Sequence, residues 1–169
     1  MPVVSDTSPL LNLAIIGQLS LLHQQFGEVR IPPTVVGELR IDEDLPGSRA
    51  VREAIEDSWL QAGEVEDHAL VKTLQRDLDK GEAEAIALAL QVEADWIVLD
   101  EREARRVAKS LGLKVTGVLG ILLRAKQEGH LPSLQESMAR LRDKAGFHIG
   151  AELAHMGISV KWETQYTHP

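Results

Sequence analysis

Five acidic residues could do chemistry together: Asp6, Glu38, Glu82, Glu84 and Asp100. They are far apart in sequence, yet each lies at the end of an apolar run or beside one. Several carboxylates sharing one crevice repel each other, and burial raises the cost of their charge. A divalent cation relieves that penalty, and hard Mg²⁺ or Mn²⁺ prefers carboxylate oxygens and water. Such ions polarise a phosphodiester, activate water and stabilise a leaving oxygen. The chemistry suggested is metal-assisted phosphodiester hydrolysis.

Each residue also has a plainer reading. Asp6, in Ser5-Asp6-Thr7-Ser8-Pro9, is placed to cap a following helix. Glu38 flanks the stripe Val35, Val36 and Leu39, where a solvated Glu is ordinary. Glu82 and Glu84 open a helix, where carboxylates suit the macrodipole. Two residues apart, they do not share a face, so one should point into the crevice; Glu84 is favoured, with Glu82 kept as a second ligand. Asp100, with Glu103 three residues on, has the pattern of a capping box.

The elements that would position these acids alternate. Residues 3–6 read as a strand, followed by a helix with Ser8 as N-cap and Pro9 in its first turn. A second short helix spans 19–26, a strand 29–31, and helices 34–39 and 47–57. Residues 68–78 are amphipathic, Asp79-Lys80-Gly81 reads as a break, and 82–92 is an apolar, buried helix. A strand at 96–99 precedes Asp100. A charged helix at 101–111 leads to a strand at 114–116. Helices follow from about 117 to 128, 132 to 144 and 149 to 156. Alternating strands and helices imply a parallel sheet covered on both faces, a three-layer α/β/α sandwich with a central, mainly parallel sheet of about four to five strands. In such sheets the functional crevice lies at the carboxyl ends of the strands. Asp6 and Asp100 follow strands directly, so both enter one crevice if those strands are neighbours.

Composition sets further bounds. The 169 residues suggest one domain with at most a small appendage. There is no cysteine, which excludes disulfides, thiolate nucleophiles and Cys-ligated zinc and suits a reducing cytoplasm. No stretch is apolar enough to span a membrane, and the start does not read as a signal peptide. The formal net charge is −8, so any grip on nucleic acid needs a local basic patch or bound cations. Arg102, Arg105, Arg106 and Lys109 repeat at three- and four-residue spacing and form one basic face beside Asp100. The plainer reading is a solvated face paired with Glu101 and Glu103. Arg124 and Lys126 would extend the patch. Histidines 23, 68, 130, 148, 155 and 168 form no His-x-x-x-His pair and read as structural or exposed. Aromatics are scarce, which argues against extensive base stacking.

The motifs resemble those of PIN domains. Val3-Val4-Ser5-Asp6-Thr7-Ser8-Pro9 looks like the first motif, Val35-Val36-Gly37-Glu38-Leu39 the second, Gly81-Glu82-Ala83-Glu84-Ala85 within 78–89 the third, and Trp96-Ile97-Val98-Leu99-Asp100-Glu101-Arg102 the fourth. Val115-Thr116-Gly117-Val118-Leu119-Gly120 continues like the prokaryotic DUF3368 branch. The resemblance covers about residues 2 to 128. It implies a PIN-like domain at 1–128; the stretch after about Gly129 falls outside the family's common core and reads as a helical extension at 129–160 packed on the same domain, with a polar, flexible tail expected at 161–169. It also implies a metal-dependent endoribonuclease using Mg²⁺ or Mn²⁺, often the toxin of a toxin–antitoxin pair in the cytoplasm. Asp6, Glu38, Glu84 and Asp100 would then be catalytic metal ligands, supported by Thr7, Ser8 and Thr116. Related flap nucleases place two Glu residues in a similar Gly-Glu-Ala-Glu-Ala stretch, which keeps Glu82 among the ligands. Partners implied are an RNA substrate, a cognate antitoxin, and further copies of the chain in a homodimer or higher oligomer.

Two other classes compete with this reading. A PIN-fold binding or regulatory module would keep the fold without catalysis. A phosphotransferase would use Asp6 as nucleophile, but Ser8 stands where the haloacid-dehalogenase pattern wants a second Asp. A Gly-rich phosphate loop is absent.

Overall fold

The computed structural model describes residues 2–147. Five short strands form a wholly parallel sheet: β1 (Val3–Ser5), β2 (Val29–Ile31), β3 (Leu60–Ala62), β4 (Trp96–Val98) and β5 (Val115–Thr116). Their order is β3-β2-β1-β4-β5. The chain builds outward from β1 in one direction, then returns to add β4 and β5 on the other side. β1 and β4 flank this reversal, with Ser5 opposite Val98. The two helices that leave the sheet here diverge to opposite faces, and a crevice opens beyond the strand ends.

β3 was not expected as a strand. Only Leu60 of its three residues is buried, so no apolar alternation marks it, and pairing with β2 (Val29 opposite Leu60) defines it.

Alternation along the central strands divides the core. Val3 and Val98 pack on one face with α1 (Thr7–Ile15), α2 (Ser20–Phe26), α4 (Ser48–Glu56), α8 (Val118–Gln127) and α9 (Leu134–Ala145). Val4, Ile97 and Leu99 pack on the other with α5 (His68–Leu74), α6 (Lys80–Gln91) and α7 (Arg102–Ser110). The period-two pleat turns successive side chains to opposite layers. α3 (Pro33–Glu38) crosses the end of the sheet, with Val35 in the first core. Leu134, Met138 and Leu141 of α9 are buried in that same core, so residues 134–145 are integral to this layer. The helix expected at 149–156 and the tail at 161–169 lie outside the described residues.

Two helix starts differ from expectation, and both bear on the site. α1 begins at Thr7, so Asp6 rather than Ser8 occupies the N-cap position, and the Asp6 side chain makes no capping bond. α6 begins at Lys80, so Asp79-Lys80-Gly81 starts the helix instead of breaking it. The Asp79 side chain accepts from Glu82 N–H at 2.8 Å, and Glu82 Oε2 accepts from Asp79 N–H at 3.1 Å. This reciprocal capping satisfies two otherwise orphaned donors, which stabilises the earlier helix start despite Gly81.

Candidate active site

The cleft beyond β1 and β4 is an open hollow of about 440 Å³ lined by Asp6, Thr7, Ser8, Leu11, Glu38, Asp79, Glu82 and Glu101. Five of these eight carry carboxylates and none is basic. They arrive from the end of β1, the last residue of α3, the start of α6 and the turn before α7.

Gly81 shows how tightly three of them converge. A Cβ on Gly81 would stand 2.7 Å from Glu38 Oε1, 3.3 Å from Asp6 Oδ1 and 3.6 Å from Asp79 Oδ1. Glycine leaves room for oxygens from three separate elements around one point. Thr7 Oγ1 donates to Glu38 Oε2 at 3.1 Å and holds that carboxylate against α1. Asp6 N–H donates to Val98 O at 3.1 Å, which ties the end of β1 to β4.

The electrostatics follow from this crowding. Burial pushes the Asp6 carboxyl from 3.8 up to about 7; the Thr7 backbone N–H opposes the rise, while Asp79, Glu38 and Asp100 add repulsion. Glu82 rises from 4.5 to about 7, mainly through burial and then through Asp79, with Asp6 and Glu101 contributing further. Both groups therefore resist ionisation without a counter-cation.

Asp100 is buried behind the cleft. Its Oδ1 accepts from Val118 N–H at 2.9 Å, at the first turn of α8. It does not cap α7: Glu101 occupies that position without a capping bond, and Glu103 turns to Arg106. Asp100 still acts on Asp6 through repulsion. Gly117 is fixed by this corner, since a Cβ there would meet Asp100 Oδ1 at 2.5 Å, Arg105 Nη1 at 2.9 Å and Leu99 O at 3.0 Å. Thr116 lies on β5, where its carbonyl accepts from Leu99 N–H at 2.9 Å; it does not line the cleft.

The structure separates the glutamate pair. Glu82 faces the cleft. Glu84 does not: its Oε1 accepts from Thr34 N–H at 3.0 Å and its Oε2 from Thr34 Oγ1 at 2.7 Å. Of the two, the structure brings Glu82 to the cleft, where it pairs with Asp79, and turns the favoured Glu84 toward Thr34. Glu84 instead fixes the first turn of α3, the helix that carries Glu38. Asp79 and Glu101 were missed as cleft residues. Asp79 was legible as an Asp three residues before Glu82, the spacing of a capping box, and Glu101 as the neighbour of Asp100.

The structure divides the basic face of α7. Arg105 is buried and donates through Nη1 to Leu99 O at 2.8 Å, so it braces the sheet and is not free for phosphate. Arg102, Arg106 and Lys109 are exposed, and Arg106 is paired with Glu103.

The carboxylates fit a hard divalent ion in donor type, in convergence and in their lack of basic neighbours. Among the described residues, however, no group of three or more His, Cys, Asp or Glu is gathered closely enough to serve as a ready ligand set. An ion that keeps several of its waters suits such an open hollow better than a closed cage would.

The acidic cleft lies at the switch point of a parallel α/β sheet, where such folds bind their ligands. The comparison with family models is more definite. A PIN-domain family model, DUF3368, matches residues 2–160, and the chain belongs to this family. PIN domains are a nuclease fold, so the class is nuclease. The match continues through residues 129–160, beyond the stretch whose motifs resembled the family. Neither a curated protein nor a solved structure gave a significant match. No described helix is long and apolar enough to cross a membrane.

Proposed function

We propose that this chain is a divalent-metal-dependent endoribonuclease whose catalytic site is the cleft of Asp6, Glu38, Asp79 and Glu82. The observation that carries the reading is five carboxylates lining one cleft without a basic residue, two of them driven to about 7. Family membership supports the nuclease class.

In this reading Asp6, Glu38 and Glu82 hold Mg²⁺ or Mn²⁺, with Asp79 beside them and Asp100 adding negative field from behind. When bound, the ion supplies Lewis-acid polarisation of the phosphodiester and a more acidic water. The protein's own groups do the positioning. Thr7 holds Glu38, the reciprocal cap with Asp79 orients Glu82, and Glu84 fixes α3 through Thr34. Asp79 and Glu101, exposed like Glu38 but outside the proposed ligand set, are placed to accept a proton from water entering the cleft. The resemblance extends the proposal to the toxin of a toxin–antitoxin pair, with a cognate antitoxin as partner.

The test is cleavage of a broad RNA panel by purified protein with Mn²⁺ or Mg²⁺, alongside the Asp6→Ala variant. Wild type should cut and Asp6→Ala should not. Wild-type protein that cuts nothing and binds no Mn²⁺ by calorimetry would refute the proposal. A second reading, a PIN-fold module without catalysis, draws on the absence of a ready donor trio among the described residues. It requires Asp6→Ala to retain full biological effect.

A further inference from the structure

The ribonuclease reading leaves one physical problem. A chain of formal charge −8 with five carboxylates in its cleft repels the backbone it must hold. Affinity for phosphate comes mainly from lysine and arginine. Most arginines that could help are committed: Arg40, Arg49, Arg52, Arg106 and Arg124 each lie against a carboxylate. Arg105 is buried against Leu99.

A second hollow, of about 540 Å³, lies between α3, α5 and α6. Its polar lining includes His68, Lys72, Gln75 and Lys80. Lys72 and Lys80 are exposed and form no ion pair among the described residues. Two glutamates also line it. Glu84 is nearly buried with both oxygens taken up by Thr34, and Glu64 is exposed to solvent. The charges facing this space without an ion pair among the described residues are therefore the two ammonium groups and the Glu64 carboxylate, a balance of one positive charge once Glu84 is set aside with Thr34.

Position links the two hollows. Asp79 and Glu82 line the acidic cleft, whereas Lys80 and Glu84 line the second hollow. These residues belong to the first turns of α6, so the hollows lie on opposite flanks of one helix end. A helix with its side chains is about 10–12 Å across. A strand draped over the start of α6 reaches both.

We propose that the hollow between α3, α5 and α6 is a phosphate-binding subsite for the RNA backbone, with Lys72 and Lys80 as its cations and His68 and Gln75 as hydrogen-bonding partners. It places the substrate grip on α5 and α6 rather than on the α7 face. This inference rests on the ribonuclease reading.

The experiment measures binding of a labelled single-stranded RNA to the full chain by fluorescence anisotropy, over a salt series, with Ca²⁺ as the cation. Wild type is compared with Lys72→Gln, Lys80→Gln, their double variant and the α7 control Arg102→Gln/Lys109→Gln. The lysines are exposed, and unchanged thermal midpoints check that the variants are folded. Each lysine lost should reduce the slope of log affinity against log salt by about 0.7, the value for one phosphate contact on a single strand. In steady-state cleavage the double variant should raise KM while kcat holds, since a remote grip contributes equally to ground and transition states. A double variant with the wild-type slope and KM would overturn the subsite while wild-type cleavage kept the ribonuclease reading intact. Wild-type protein that neither binds nor cuts RNA would overturn both.

Discussion

Replacing Asp6 by Asn should stabilise the metal-free protein while removing its response to metal. The magnitude follows from the carboxyl's displacement from 3.8 to about 7. Each unit corresponds to about 1.4 kcal/mol, so the ionised group burdens the native state by at most about 4 kcal/mol. Relaxation of the open cleft reduces this, and a gain on the order of 2 kcal/mol is expected for the neutral isostere at about pH 8. The sign is that of an acid whose folded value is raised. Below 3.8 the carboxyl is protonated in both states and contributes no penalty. Stability is then lost as pH rises toward about 7, and the full penalty holds above it. Asp6→Asn should therefore match wild type near pH 4 and exceed it near pH 8. Removing the Asp6 charge also relieves Glu82, which adds to the gain. Urea unfolding in EDTA at the two pH values reads the difference as a shift in midpoint at constant slope. Mn²⁺ at about a hundred times its Kd should then add about 2.7 kcal/mol to wild type and little to the variant. An Asp6→Asn protein less stable than wild type at pH 8 in EDTA would refute the claim that this carboxylate is held against electrostatic strain.

Three further outcomes follow from the same geometry. Because Asp6 and Glu82 keep protons up to about 7, Mn²⁺ binding should tighten as pH rises through neutrality and release protons; calorimetry in two buffers of different ionisation enthalpy counts them. Glu82→Gln should weaken Mn²⁺ binding at least about tenfold, whereas Glu84→Gln, whose amide can still pair with Thr34, should change it little; an equal loss in both would return Glu84 to the ligand set. Gly117→Ala should destabilise the fold by about 1–3 kcal/mol, read by thermal unfolding, because its methyl would collide with Asp100 and with the Leu99 carbonyl.

Much of the fold was legible because its signals are local. Val3-Val4, Val29-Arg30-Ile31 and Trp96-Ile97-Val98 are compact apolar runs bounded by polar turns, and the helices between them carry clear periodicity. β3 escaped because an edge strand of three residues with one buried side chain carries no such signal; only its hydrogen bonds to β2 make it a strand. In the site, Asp6 and Asp100 could be placed at strand ends from sequence. Their neighbourhood depended on β4 entering the sheet beside β1.

The sequence by itself determined which chemistry is available: no thiol, no histidine pair, and acids at the ends of apolar runs. Tertiary structure decided which acids meet. Glu82 and Glu84 are equivalent in composition and nearly so in position. The Asp79 cap, at a helix start two residues earlier than expected, holds Glu82 on the cleft side, and the donors of Thr34 on another helix claim Glu84. Arg105 was likewise separated from its basic neighbours by a carbonyl that only the packed sheet brings within reach. Side-chain type is a local property, whereas the partner that captures it is supplied by whichever element packs opposite.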